Sequence, residues 1–318
     1  MNGPHGHHAW VFTPAWARAA LTHRVFTGLS RQYLADLIDE LADPWTAAHQ
    51  GALRQRRGHP RRRAPGAGPH HRLVLADRVL VTLVILRFQL PHQALAVLYG
   101  VDRATVTRAV GEVRPLLAAR GFAVPGLPGV RLRTLADVFA TPPPTGSSCA
   151  STAPRPRSAG PGPTGPAGGR LYPASASRTR SRPPPSPTVG GRTLWAGAVR
   201  PGRMHDQTAV TTEGIKELLR YYPTVMARVD TGYRGLAKAF PDRVCAPPPK
   251  PAKDAPAEEI AAYKQARTRQ SSRRICVEHA IAEHKQWRPL QRYIGRREVY
   301  AQTHLAIAGL VSDRAARR

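Results

Sequence analysis

"LPHQALAVLYGVDRATVTRAVGEVRPLL", residues Leu90 to Leu117, reads as two helices about a tight turn. The spacing predicts a short helix from His92 to Leu98, a turn at Gly100 and a second helix opened by Asp102. Glycine suits the turn because it has no Cβ and enters the left-handed region without a clash. Ala94, Leu95, Val101, Val106 and Val110 recur so as to bury the inner faces, which leaves Arg103, Thr105, Thr107 and Arg108 on the outer face of the second helix. Their donors match phosphate oxygens and base edges, and helix, tight turn, helix is the arrangement that lays its second helix in a DNA major groove. A hairpin in a plain helical bundle has the same apolar spacing; the basic outer face favours DNA.

The composition agrees with a polyanionic partner. Forty-eight Lys and Arg stand against twenty Asp and Glu, a net charge of +28 over 318 residues. Most of the excess is arginine, whose planar fork meets phosphate in bidentate fashion. Codon usage in a GC-rich genome would also enrich Arg, Ala, Gly and Pro. Cys149, Cys245 and Cys276 are widely separated and lack paired spacing, which excludes a disulfide framework and a zinc site. The first residues lack a secretory leader pattern, and the most apolar window, Val79 to Leu86, is too short for a bilayer. A soluble, cytoplasmic, nucleoid-associated protein without a membrane partner is expected.

Upstream of the opening stretch, SRQYLADLIDEL predicts an amphipathic helix over Ser30 to Leu41, capped by serine. Arg54, Arg56, Arg57, Arg61, Arg62 and Arg63 then crowd a Gly/Pro-punctuated run that reads as a basic linker. Asp77 to Phe88 is apolar nearly all round and reads as a buried helix with an acidic cap.

Downstream of Ala140 the composition changes abruptly. Residues 141–190 hold thirteen of the thirty-two prolines and six Arg, with no Asp, Glu or Lys, and predict a disordered segment. Periodic text resumes with a strand from Gly191, a helix in TTEGIKELLRYY, a strand ending at Asp230, a Pro-rich charged insertion, and an amphipathic helix in SSRRICVEHAIAEHKQWRPL. Strand, helix, strand implies an α/β sheet, so the fold class expected is a helical helix-turn-helix domain followed by an α/β domain.

Asp230 falls at a strand's carboxyl end, where α/β sheets gather ligands. On the last helix Arg274 and Lys285 flank Glu278 at i−4 and i+7, on one face. An Asp and a Glu of this kind are hard oxygen ligands suited to Mg²⁺, and phosphoryl-transfer sites hold two such ions roughly 3.5–4 Å apart. Each residue alone also reads as structural: Arg274 and Glu278 as a surface ion pair, His205 and Asp206 as a helix cap.

Taken together, these motifs resemble those of bacterial insertion-sequence transposases of the IS4/IS5 superfamily, which join a helix-turn-helix to a DDE nuclease domain of RNase H-like fold. The resemblance covers Phe26 to Phe139 and Gly191 to Arg314. It rests on Pro201, Gly202, His205 and Asp206; on Asp230, Gly232 and Tyr233; and on Arg274, Glu278 and Lys285, with Ser271 replacing a tyrosine common in the family. It implies that Asp230 and Glu278 are catalytic metal ligands, that Arg274 and Lys285 contact DNA, and that His205 and Asp206 support the site. It further implies two Mg²⁺ (or Mn²⁺) ions, terminal inverted repeats and target DNA as partners, and a homo-oligomer when active.

The first carboxylate of that family, in an Asp-Gly-Thr strand, is missing, since no Asp or Glu lies between Asp137 and Asp206. Reading Cys149 to Arg155 with the third base of each codon joined to the next two permits Arg-Ile-Asp-Gly-Thr-Glu. Tyr172 to Arg182 in the same frame permits Ser-Gly-Lys-Arg-Lys-Gln-Asn-Thr-Ile-Lys. The expected organisation is an N-terminal helix and basic linker over 1–69, a helix-turn-helix domain over 70–140, an out-of-frame segment over 141–190, and a nuclease domain over 191–318 without its first strands. That nuclease domain would present an uncovered strand edge and be poorly stable. Two other functions fit the same residues: a catalytically silent site-specific DNA-binding protein, and a non-specific basic one.

Overall fold

The computed structural model describes residues 14–59, 72–124, 127, 129–141, 149–152, 181–182, 186–189, 192–201 and 206–317. It divides into two compact units, Met1–Arg120 with Glu283–Arg318, and Gly121–Ala282. Most of the described residues are helical and the strands are few and short, so helix outweighs sheet more than the expected α/β class allows.

The first unit begins with α1 (Pro14–Leu21), α2 (Arg24–Thr27) and α3 (Arg31–Arg57). Ser30 caps α3, its hydroxyl accepting from the Tyr33 amide at 3.2 Å. The helix runs far past Leu41, through Pro44, and ends where Gly58 turns left-handed at φ 72°. Arg54, Arg56 and Arg57 therefore form the last turn of a helix, not a linker: arginine is a good helix former, and cations favour the negative end of the helix dipole. Arg61, Arg62 and Arg63 lie outside the described residues.

Helix α4 (Leu75–Phe88) is buried all round because it separates two apolar clusters. Leu80 and Leu83 face Leu37, Leu41, Val113 and Leu117, while Val81 and Val84 face Leu21, Leu95, Val106 and Val110. Asp77 lies inside the helix rather than at its cap; its carboxylate accepts from the Val74 amide and pairs with Arg18 at 2.6 Å.

The next helices are α5 (His92–Tyr99) and α6 (Arg103–Ala119). The second unit adds β1 (Phe122–Ala123), antiparallel to β2 (Arg131–Leu132), and α7 (Leu135–Ala140) behind a Thr134 cap. It continues with β3 (Cys149–Thr152), β4 (Ser181–Arg182), β5 (Ser186–Val189), β6 (Arg192–Thr193) and β7 (Arg200–Pro201). Then come α8 (Asp206–Thr212), α9 (Ile215–Tyr221), β8 (Ala227–Arg228), a 3-10 turn (Thr231–Tyr233), α10 (Arg234–Ala239), β9 (Val244–Cys245) and α11 (Ala257–Lys285).

A five-stranded sheet has the order β6-β5-β3-β8-β9. The strands β3, β8 and β9 run parallel, while β5 and β6 are antiparallel to their neighbours. Among residues 141–190 the described ones form β3, β4 and β5, and β8 has neighbours on both sides. Ladder bonds join backbone groups, so Cys149–Thr152 closes the sheet centre whatever its side chains. The strand expected from Gly191 shrinks to Arg192–Thr193, after which Leu194 and Trp195 stay buried without strand geometry. The helix expected in TTEGIKELLRYY is broken at Gly214, φ 67°, and α11 fuses most of the charged insertion with the following helix.

Two elements return to the first unit: α12 (Arg288–Gln291) and α13 (Tyr300–Ala316). Ile307 and Leu310 of α13 join the α3–α4–α6 core, as does Trp287, which is fully buried.

Candidate nucleic-acid interface and nuclease site

The turn between α5 and α6 is set by Gly100, at φ 60° and ψ 39°, whose amide bonds back to the carbonyls of Ala96 and Val97. Leu95, Ala96 and Tyr99 of α5 pack against Val106, Ala109 and Val110 of α6. Ala94 is exposed rather than part of the inner face, and Val101 is half-buried against the cluster. The helix period explains the exchange: Ala96 and Tyr99 share the buried face with Leu95, while Ala94 falls on the other side.

On the outer face Arg103, Thr107 and Arg108 are exposed and Thr105 is half-buried. Arg108 stays on its own helix, its guanidinium donating to Thr105 Oγ1 at 3.3 Å and to the Ala104 carbonyl at 3.4 Å. Two neighbours of this face leave no signal in the sequence. Arg72 donates to the Gly100 carbonyl at 3.4 Å, bringing another exposed cation to the turn, and His92 Nδ1 lies 2.8 Å from Thr107 Oγ1. Burial, then the charges of Arg103 and Arg114, hold the His92 imidazole below its ordinary value.

In the second unit Asp230 follows β8 by two residues, half-buried, at the start of a 3-10 turn closed by the Tyr233 amide on the Asp230 carbonyl at 2.9 Å. Val229 beside it is buried and donates its amide to the Cys245 carbonyl, extending the ladder with β9. The parallel register pairs Cys149 with Ala227 and Ala150 with Arg228.

Glu278 and Arg274 lie within α11, and Asp206 is the first residue of α8; nothing is described of these three side chains. Lys285 ends α11 and is exposed. His205 and Gly202 lie outside the described residues, and Pro201 is the last residue of β7.

Among the described residues no group of three or more His, Cys, Asp or Glu is arranged to hold a metal ion. Nor, among the described residues, is any helix long and apolar enough to cross a membrane.

Residues 71–123 match the helix-turn-helix of DDE superfamily endonucleases. Residues 188–311 match the DDE superfamily endonuclease family itself, whose members usually use divalent metal ions. No curated protein and no solved structure matches the chain. The two matched segments, a DNA-binding helix-turn-helix followed by an endonuclease region, support a DDE-superfamily transposase.

Proposed function

We propose that the chain is an insertion-sequence transposase of the IS4/IS5 type with an RNase H-like nuclease half, in which DNA recognition is retained and the first catalytic carboxylate is lost. Arg103, Thr105, Thr107 and Arg108 meet the duplex at the terminal repeats; Arg274 and Lys285 hold phosphates near the nuclease site; Asp230 and Glu278 remain as its second and third carboxylates, with His205 and Asp206 supporting them.

One coincidence carries this reading. In the resemblance the first Asp belongs to a strand and the second directly follows one. Here Cys149–Thr152 is one of the two strands adjacent and parallel to β8, the other being Val244–Cys245. The shifted frame draws its Asp codon from the codons of Ser151 and Thr152, which follow the paired Cys149 and Ala150 as Val229 and Asp230 follow Ala227 and Arg228. The alternative frame and the sheet therefore point to one position. A segment translated between two compensating shifts, near Thr141 and Gly190, accounts for a strand without its carboxylate and for the abrupt change in composition.

The experiment is a pair of assays on the full chain. Gel shifts across a salt series compare terminal-repeat and scrambled duplexes, and a nicking assay with Mg²⁺ or Mn²⁺ follows on the same DNA. The expected result is preference for the repeat and no nicking. Equal affinity for both duplexes would make the chain a non-specific basic protein, and nicking that vanished in Asp230→Ala would overturn the loss of activity.

A further inference from the structure

His92 opens α5, Thr107 stands one turn into α6, and one hydrogen bond joins them across the helix-turn-helix. The direction of that bond follows from counting protons. A threonine hydroxyl has one hydrogen, and Thr107 Oγ1 donates it to the Arg103 carbonyl at 3.0 Å. In the Nδ1–H tautomer the neutral ring donates to that hydroxyl oxygen across the 2.8 Å contact and leaves Nε2 as a bare acceptor. Thr107 is exposed and His92 half-buried, in the field of Arg103 and Arg114 from α6. Burial first, and then these cations, suppress the charged ring.

We propose that His92 is a DNA-contacting residue of this interface, which positions Thr107 through Nδ1 and meets a backbone phosphate through Nε2 as the ring takes up a proton. The inference rests on the DNA-binding reading of α5 and α6. A phosphate beside Nε2 offsets the repulsion from Arg103 and Arg114 and favours the imidazolium. Protonation turns Nε2 from an acceptor, which repels a phosphate oxygen, into a charged donor that binds it. Nδ1–H keeps its bond to Thr107 in both forms, so the recognition helix is positioned alike whether or not the ring is charged. The sign of the linkage is fixed: the ring binds its proton more tightly in the complex, so affinity is highest below the pKa of the free protein and falls as pH rises through that of the complex.

The test is fluorescence anisotropy of the full chain on a mixed-sequence DNA duplex, from about pH 5.5 to about pH 8, with a salt series at each end. The wild type is expected to bind about tenfold tighter at the acid end, the equivalent of a one-unit rise in the ring's pKa on binding. Its salt slope should steepen there by about 0.9, one further phosphate neutralised. In His92→Asn, whose side-chain amide still donates towards Thr107 but does not titrate, both pH effects should vanish. His92→Gln, which also lacks a titrating group, should lose the same two effects. A purely structural His92 would weaken binding evenly at every pH, and that result would overturn the proposal, as would a wild-type profile shared by both variants while all three bind the duplex. Absence of wild-type binding at every pH would instead strike the DNA-binding reading itself, and the proposal with it.

Discussion

The Tyr33 hydroxyl donates to the Asp313 carboxylate at 2.5 Å, joining the first turn of α3 to the last turns of α13. Arg120 completes the clasp, 2.8 Å from the same Asp313 oxygen and bidentate to Glu40. Arg120 and Asp313 are both deeply buried, with side-chain exposures of 5% and 4%. Burial, and then the Asp313 charge, push the Tyr33 phenol well above its ordinary range, so it keeps its proton for Asp313 while its oxygen accepts from Arg120 at 3.4 Å.

Breaking this clasp from one side leaves a buried guanidinium short of a partner. Asp313→Ala is therefore expected to destabilise the first unit by about 3–5 kcal/mol, read as a lower urea midpoint. Tyr33→Phe removes only one neutral donor and should lose about 1 kcal/mol. Equal losses in the two variants would refute the ranking.

Gly100 has open space around an added Cβ, yet its φ is 60°. Conformation alone should then decide a substitution there. Gly100→Val is expected to lower stability by about 1–2 kcal/mol and Gly100→Asn by less, since asparagine tolerates the left-handed region. Thermal melting of both variants checks this.

The first unit should be sensitive to acid through His304. Burial, and then His284, push its imidazole down to about 3, and its Nδ1 is buried without a hydrogen-bond partner. The folded ring stays neutral while the unfolded one protonates near pH 6.5. Stability from this residue is thus complete above about pH 6.5 and declines by about 1.4 kcal/mol per pH unit as the pH falls towards 3. His304→Gln should flatten the stability profile over that interval; an unchanged slope would exclude His304 as its source.

Arg103 and Arg108 can be sorted by the part of the duplex each meets. For an arginine that grips a phosphate, replacement by alanine reduces the salt slope by about 0.9 and weakens all duplexes alike. For one that reads a base edge, the same replacement removes about 1–3 kcal/mol from the preferred sequence only. Binding isotherms of Arg103→Ala and Arg108→Ala on repeat and scrambled DNA separate the two.

The register between β3 and β8 predicts that a carboxylate at Thr152 would stand beside Asp230. Thr152→Asp should gain Mn²⁺ affinity measurable by calorimetry, and adding Asp230→Ala should abolish the gain. No gain in the single variant would argue against the shared position.

The helix-turn-helix was legible in the sequence because its signals are local: a glycine at the turn, an acidic residue before the second helix, and apolar spacing within one short stretch of chain. The interior position of α4 was legible for the same reason, since a helix apolar all round has nowhere else to sit. The full length of α3 was not, because the arginines read as a basic linker although they are compatible with a helix whose apolar half is already anchored. The strands within residues 141–190 were hidden for a different reason: their pairing is a property of the backbone, to which composition is a poor guide. Of the nuclease residues, Asp230 announced itself as the end of a short strand. The Arg120 clasp joins residues almost the whole chain apart and leaves no periodic trace.

The interleaving of the units has a consequence for the ribosome. Ile307, Leu310 and Asp313 belong to the interior of the same unit as Tyr33 and Val113, so this interior cannot close until the codons of α13 have been read. A nascent chain can form the helix-turn-helix locally but not the body that supports it. An alteration confined to residues 141–190 leaves every residue of that body unchanged, whereas a reading frame lost at the same place and not regained would remove α13 along with everything between.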